Sequence, residues 1–188
     1  MGMESMQVYI NSILTCKKDE IAQCSHLILP GVGSFKKAME NLHQRDLVSV
    51  LQKEVNENKK PFFGICLGMQ LLAEKGFENE ETTGLGFIEG SVYIIPDNKL
   101  PTTHIGWNNI AIKNKKFFSN VTDGNFYFVH SYYMQPKNQV DVAATVEYGS
   151  ELTAAVLKNN IFGTQFHPEK SQLEGIQVLK NFLHYVEE

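Results

Sequence analysis

Apolar and polar positions along this chain alternate between two periods. His26-Leu27-Ile28-Leu29 is a short apolar run that ends in Pro30-Gly31-Val32-Gly33-Ser34, which reads as a strand entering a tight loop. Phe35, Met39 and Leu42 then recur at helical spacing and predict a helix with one buried face. Asp46 stands where it can cap a second helix that turns Leu47, Val50, Leu51 and Val55 inward. Lys59-Lys60-Pro61 closes that helix and leads into a strand over 62–65. Residues 7–11 form a further short strand candidate. Strand and helix in alternation predict a parallel sheet with helices on its faces.

The second half has a different pattern. Residues 91–95, 125–129, 142–148 and 154–157 are strand-like runs divided by Gly, Asn and Pro clusters. Lys158-Asn159-Asn160 reads as a hairpin turn into a strand over 161–166. Ser171-Gln172-Leu173-Glu174 has the capping-box pattern, and it opens a last helix with Ile176, Leu179, Leu183 and Val186 on one side. No repeat, low-complexity tract or linker interrupts the chain. The expectation is one α/β domain over 1–188, with a single open, mostly parallel sheet flanked by helices and antiparallel strands added late.

Composition narrows the function. A length of 188 residues suffices for one domain with a substantial core. An apolar share of 43% against 20% charged residues argues against a disordered polymer. The net charge of −4, with no basic segment, argues against nucleic acid as a partner. Cys16, Cys24 and Cys66 are too few and too scattered for a disulfide framework, which points to a reducing compartment. The N-terminal residues lack a secretory pattern, and no apolar run approaches the ~18 residues of a membrane span. A cytoplasmic chain with no membrane contact is expected.

Gly64-Ile65-Cys66-Leu67-Gly68 carries the strongest chemical signal. It follows the apolar run at Pro61-Phe62-Phe63 and opens a helical pattern from Met69 to Glu74. A thiol thus sits at a sharp strand-to-helix corner, with glycines on both sides where β-carbons would crowd the bend. The helix start favours thiolate, which an unperturbed cysteine (pKa ~8.5) forms poorly at neutral pH. A buried cysteine in an ordinary tight turn fits the pentapeptide equally well.

Phe166-His167-Pro168-Glu169 is the second segment. An imidazole needs a group to fix its tautomer and support its charge, and residues two apart on a strand share a face. Cys66 and His167 both lie past strand ends, where open parallel sheets assemble their sites. Pro30-Gly31-Val32-Gly33 is the third segment. Its N–H groups suit the negative oxygen that develops in acyl transfer, with the Val32–Gly33 peptide and the Leu67 N–H as donors. It lacks the residues of a phosphate or dinucleotide loop. No P-C-x-x-C accompanies the H-x-E of His167-Pro168-Glu169, and Cys66 has no partner cysteine, so a metal site is not expected. Of the remaining histidines, His130 stands out because aromatic strand residues surround it.

Phe63-Gly64-Ile65-Cys66-Leu67-Gly68-Met69-Gln70 together with Gln165-Phe166-His167-Pro168-Glu169 resembles the class I, triad-type glutamine amidotransferases. The resemblance runs from about Val8 to the C-terminus and implies a flavodoxin-like fold with no cofactor. Pro30 to Phe35, His104-Ile105-Gly106-Trp107-Asn108, Tyr127 to Tyr133 and His167 to Ser171 resemble the branch that serves histidine biosynthesis. The resemblance implies that Cys66 attacks the glutamine carboxamide, His167 moves the proton and Glu169 orients His167. It implies substrate-binding roles for Gly31, Gln70, Glu78, Ser131 and Tyr132. Trp107, His130 and Lys170 would face a partner, a synthase subunit of (β/α)8-barrel type that receives ammonia. The family also begins with a strand and helix ahead of the segment equivalent to Val8–Asn11, and only Met1 to Gln7 stand there in this chain, so either a truncated start or a rearranged sheet edge is expected, with truncation favoured. A related amidotransferase feeding a surface-sugar or nucleotide-sugar pathway, a stand-alone cysteine hydrolase and a binding subunit that no longer catalyses remain alternatives.

Overall fold

The computed structural model of the protein describes residues 11–97 and 100–185. Its elements run in the order α1 (Lys18–Gln23), β1 (Leu27–Gly31), α2 (Phe35–Gln44), α3 (Val48–Gln52), β2 (Phe62–Cys66), α4 (Leu67–Gln70), β3 (Ala73–Gly76), β4 (Thr82–Thr83) and β5 (Ile88–Ile94). There follow β6 (His104–Ile112), β7 (Asn125–His130), β8 (Tyr132–Pro136), β9 (Val142–Glu147), β10 (Glu151–Lys158), β11 (Ile161–Thr164) and α5 (Gln172–Leu183). Seven strands form the main sheet in the order β1-β2-β11-β10-β9-β6-β7, and β4-β3-β5-β8 form a smaller one.

β1, β2 and β11 are parallel, whereas the four remaining pairings of the main sheet are antiparallel. The α/β class holds, but the antiparallel part exceeds what a mostly parallel sheet implies. For β10 and β11 a tight connection is the cause: a two-residue turn at Asn159-Asn160 can join only antiparallel neighbours. Asn159 has φ 53°, a conformation that Asn tolerates and most residues do not.

The core is split by the sheet. On one side Phe35, Met39, Leu51, Val55, Phe62, Met69 and Leu72 pack together. On the other, Phe63, Phe117, Phe126, Phe128, Phe162, Phe166 and Phe182 form an aromatic cluster, with Phe126 and Phe166 stacked at 4.1 Å. The main sheet curls so that its last strand returns to the exit of β11, where the His167 N–H donates to the Tyr127 carbonyl at 2.9 Å.

Several local expectations change. Asp46 does not cap α3: it has φ 53° and its carboxylate pairs with Lys18, while Leu47 occupies the cap position. The helix expected through Met69 to Glu74 is a single turn, because Ala73 onward pairs with β5. Ser171 and Glu174 form no capping box. The Ser171 hydroxyl donates to the His167 carbonyl at 2.6 Å, and Glu174 takes the N–H groups of Thr122 and Asp123. The strand candidate at 7–11 lies outside the described residues except for Asn11, which is in no strand. The sequence pattern does not announce α1, β3, β4, β6 or β8.

Candidate active site

Register brings the three chemical segments to one rim. Gly31 is opposite Cys66 in the β1–β2 pair, and Thr164 is opposite Ile65 in the β2–β11 pair. The loop Val32–Ser34, the corner at Cys66 and the segment Gln165–Glu169 therefore leave three adjacent parallel strands at their carboxyl ends.

The corner at Cys66 is strained. Its φ of 54° and ψ of −109° lie outside the regions L-residues favour. A β-carbon at Gly68 would collide with the Leu29 carbonyl, and one at Gly64 with the Gly68 carbonyl. The glycines on both sides are thus required by close backbone approach.

A cavity of about 230 Å³ opens beside the thiol. It is lined by Val32, Gly33, Cys66, Leu67, Gln70 and Glu78 on one side, and by Val129, His130, Ser131 and Tyr132 on the other. Every expected oxyanion residue and all the expected substrate-binding residues but Gly31 line it. Gly31 faces a neighbouring cavity, against the Leu67 side chain. Gly33 has φ 103°, which only glycine adopts readily.

His167 Nδ1 donates to Glu169 Oε1 at 2.7 Å. The two meet across a short 3-10 turn, Pro168–Lys170, rather than along a strand face. The side chain of His167 is 4% exposed and that of Glu169 48%, so water reaches the carboxylate but not the ring. With Nδ1 donating, Nε2 of the neutral ring is an acceptor. That atom is buried and has no hydrogen-bond partner among the described residues.

The thiol is in its resting form. Sγ donates to the Val129 carbonyl at 3.9 Å. Burial pushes its pKa up to about 11, and the Leu67 N–H, Lys170 and Gln165 only partly oppose that while Glu169 adds to it. The expectation that the helix start would favour thiolate fails, because α4 is a single turn and desolvation outweighs one backbone N–H.

Gln70 reaches the site as expected, and its orientation is set by two acceptors. Its Nε2 donates to the Tyr132 carbonyl at 2.8 Å and to Gln165 Oε1 at 3.1 Å. Only its own carbonyl oxygen remains for a ligand, which must then be a donor. Gln165 Nε2 in turn donates to Cys66 Sγ at 3.7 Å. Gln165 precedes the Phe166-His167-Pro168-Glu169 segment, and nothing local in the sequence announces its contact with sulfur.

His130 is buried, not surface-facing: its Nδ1 donates to the Tyr132 carbonyl at 2.9 Å. Its Nε2 therefore accepts from His104 Nδ1 at 3.1 Å, and His104 Nε2 accepts from Asn108 at 3.4 Å. His104 is stacked between Phe128 and Tyr148. Burial pushes the pKa of His104 down to about 4 and that of His130 to about 3. Trp107 is half exposed, edge-on to Tyr127, and the Lys170 ammonium lies 5.8 Å from the centre of the same ring. These three form one outer patch beside the His167 turn. Among the described residues no group of three or more His, Cys, Asp or Glu converges as a metal site, and no helix is long and apolar enough to cross a membrane.

Comparison with known proteins agrees with this chemistry. The family model described as glutamine amidotransferase class-I matches residues 2–186. The chain is 44% identical over 185 residues to the imidazole glycerol phosphate synthase subunit HisH of Streptococcus sanguinis, covering 97% of this chain and 88% of that one. It is 46% identical over 177 residues to subunit HisH 2 of Vibrio vulnificus, covering 93% and 82%. A crystal structure described as a glutamine amidotransferase shares the fold with a TM-score of 0.71 at 20% identity, over 93% of this chain and 85% of that one. The glutaminase domain of Trypanosoma brucei CTPS, solved with bound acivicin, matches with a TM-score of 0.60 at 17% identity, over 91% and 76%. With a strained cysteine corner, a His-Glu pair and a glycine loop meeting at one sheet rim, the chain belongs to the class I glutamine amidotransferases.

Proposed function

We propose that this chain is the glutaminase subunit of an imidazole glycerol phosphate synthase. It hydrolyses glutamine and passes ammonia to a synthase subunit that forms imidazole glycerol phosphate and AICAR in histidine biosynthesis. The observation that carries this reading is the identity with HisH subunits over nearly the whole chain, joined to a cavity that holds Cys66 beside the glycine loop.

In the proposed reaction, Cys66 gives its proton to His167 Nε2, and the sulfur attacks the side-chain carbonyl of glutamine. The oxyanion that forms is held by the Leu67 N–H and by an N–H of the Val32–Gly33 peptide. His167 returns the proton to the departing nitrogen, and neutral ammonia leaves a glutamyl thioester. Water, deprotonated by His167, then releases glutamate and restores the thiol. Glu169 holds the ring in the tautomer that keeps Nε2 available. Glu78 and Gln70 are assigned to the substrate ammonium, and Ser131 and Tyr132 to its backbone end.

Ammonia that escapes into neutral water is protonated and loses its nucleophilic lone pair. A synthase subunit of (β/α)8-barrel type is assigned to cover the site, against the patch of Trp107, Tyr127 and Lys170. The free thiol suits the reducing cytoplasm. The test is glutamine turnover at saturating substrate, alone and with the synthase subunit. Faster turnover in the complex supports the reading, and equal turnover refutes it. A glutamine-derived diazo ketone should label Cys66 and leave a folded Cys66→Ala variant unlabelled.

A further inference from the structure

Sulfur in this site faces one side-chain amide, and a chain of hydrogen bonds fixes which way that amide points. Gln165 is fully buried, and its backbone N–H is held by the Ala154 carbonyl at 2.8 Å. Its Oε1 accepts from Gln70, and its Nε2 donates to Cys66 Sγ at 3.7 Å. Turning the Gln165 amide over would set its NH2 against the NH2 of Gln70, two donors face to face. Turning Gln70 over as well would set its carbonyl against that of Tyr132, two acceptors. His130 adds a second donor to the Tyr132 carbonyl. Donation therefore runs in one direction, from Gln70 through Gln165 and Cys66 to the Val129 carbonyl.

We propose that Gln165 is a further catalytic residue of this glutaminase, whose side-chain N–H stabilises the sulfur of Cys66 as it becomes an anion. The proposal rests on the reading of Cys66 as the nucleophile. When the thiol proton passes to His167, the Val129 carbonyl loses its donor and faces negative charge. The Gln165 N–H then becomes the side-chain donor already in place, and a hydrogen bond to an anion is about twice as strong as a neutral one. Gln70 acquires a second task, since it keeps the Gln165 nitrogen aimed at sulfur. The other ionisable groups that act on the thiol or line its cavity are Glu169 and Lys170 on the β11 exit, His130 on β7, Tyr132 on β8 and Glu78 after β3.

The test reads Cys66 alone, in the full chain with Cys16→Ser and Cys24→Ser. Alkylation by iodoacetamide is followed from about pH 7 to about pH 9.5, below the titration midpoint, where the rate tracks the thiolate fraction. In Gln165→Leu, and in the longer Gln165→Met, the rate is expected to fall about tenfold at every pH, equivalent to about one unit of pKa. A purely space-filling glutamine predicts the opposite sign, because looser packing hydrates the thiol and speeds its reaction. An unchanged or faster rate overturns the proposal. Should both variants unfold, the unaltered protein still decides. The labelled side-chain amide of Gln165 should shift as pH rises from about 8 to about 10.5, and stay fixed in Cys66→Ala. A static amide in both would overturn the assignment. Diazo ketone labelling keeps the two claims apart. No labelling of the unaltered chain removes the glutaminase reading, whereas labelling with an unchanged alkylation rate in the variants removes only the role of Gln165.

Discussion

Glu78 Oε2 accepts the backbone N–H of Phe35 at 2.7 Å. The side chain assigned to the substrate ammonium thus also caps α2, the helix that starts immediately after the glycine loop. Ser34 adds its hydroxyl to the N–H of Lys37 at 3.3 Å. One carboxylate both lines the cavity and holds the start of α2, so its two roles should separate by substitution. Glu78→Gln keeps an acceptor for Phe35 and removes the charge, and it should raise KM for glutamine with little change in kcat. Glu78→Ala should also lower kcat by about tenfold and cost about 1 kcal/mol of stability, the usual effect of a lost cap. Identical kinetics in the two variants would refute this division.

Reactivity of the isolated chain should depend steeply on pH. Burial raises the Cys66 pKa to about 11. Below that value the thiolate fraction grows tenfold per pH unit, so alkylation of Cys66 should rise about tenfold from pH 7 to pH 8 and again to pH 9. A thiol with an ordinary pKa would level off near ~8.5. Stopped-flow alkylation distinguishes the two curves directly.

Acid should weaken the fold through the His104–His130 pair. Both rings are neutral in the folded chain, with pKa values of about 4 and about 3. In the unfolded chain both bind protons near ~6.5, so unfolding takes up protons as pH falls through that value. Stability is therefore greatest above ~6.5 and is lost progressively toward pH 4. The urea midpoint should fall between pH 7 and pH 5. About half of that fall should vanish in His104→Gln, which keeps an amide beside His130 while His130 itself stays buried. A pH-independent midpoint would contradict the neutral pair.

The loop glycine makes a sharper demand. A β-carbon at Gly33 would meet no atom within 4 Å, so space does not forbid a side chain there. Its φ of 103° does. Gly33→Ala should leave the core and the urea midpoint nearly intact yet shift the loop, and so lower kcat by about 10²-fold, the scale of a lost oxyanion donor. Normal kcat in this variant would remove the loop from the reaction.

How far the sequence foretold the site follows from which parts are local. Gly64, Cys66 and Gly68 announce a corner because steric crowding acts within a few residues, and the structure bears this out. That the Cys66 corner and the segment Gln165–Glu169 leave adjacent strands at one rim follows from strand exits, a rule of topology that needs only the order of elements. The roles of Gln165, His104 and Ser171 do not show in the sequence, because each depends on partners far along the chain. The Ser171–Glu174 pattern misled for the same reason: Thr122 and Asp123 offer Glu174 donors that a local reading cannot see. The thiol pKa departs from the local expectation because burial is a tertiary property that outweighs the helix start.

Ser171 holds the backbone of His167. Its hydroxyl donates to the His167 carbonyl at 2.6 Å and accepts the Tyr127 N–H at 3.0 Å, while His167 N–H reaches back to the Tyr127 carbonyl. One buried oxygen thus ties the His167 segment to β7. Ser171→Ala leaves the Tyr127 N–H without its acceptor in a dry setting, which costs about 1–3 kcal/mol. Because Glu169 still orients the ring from Nδ1, kcat should fall by only about threefold to tenfold, and KM should hold, as a small misplacement of His167 predicts. Ser171→Thr retains the hydroxyl, but its methyl group must fit where the residue is 1% exposed. It should recover the hydrogen bonds while losing packing. Stability that falls in both variants, with kcat restored only by Thr, would separate the hydroxyl's role in holding His167 from simple space filling. Equal kcat in Ala and Thr would show that His167 is held without it.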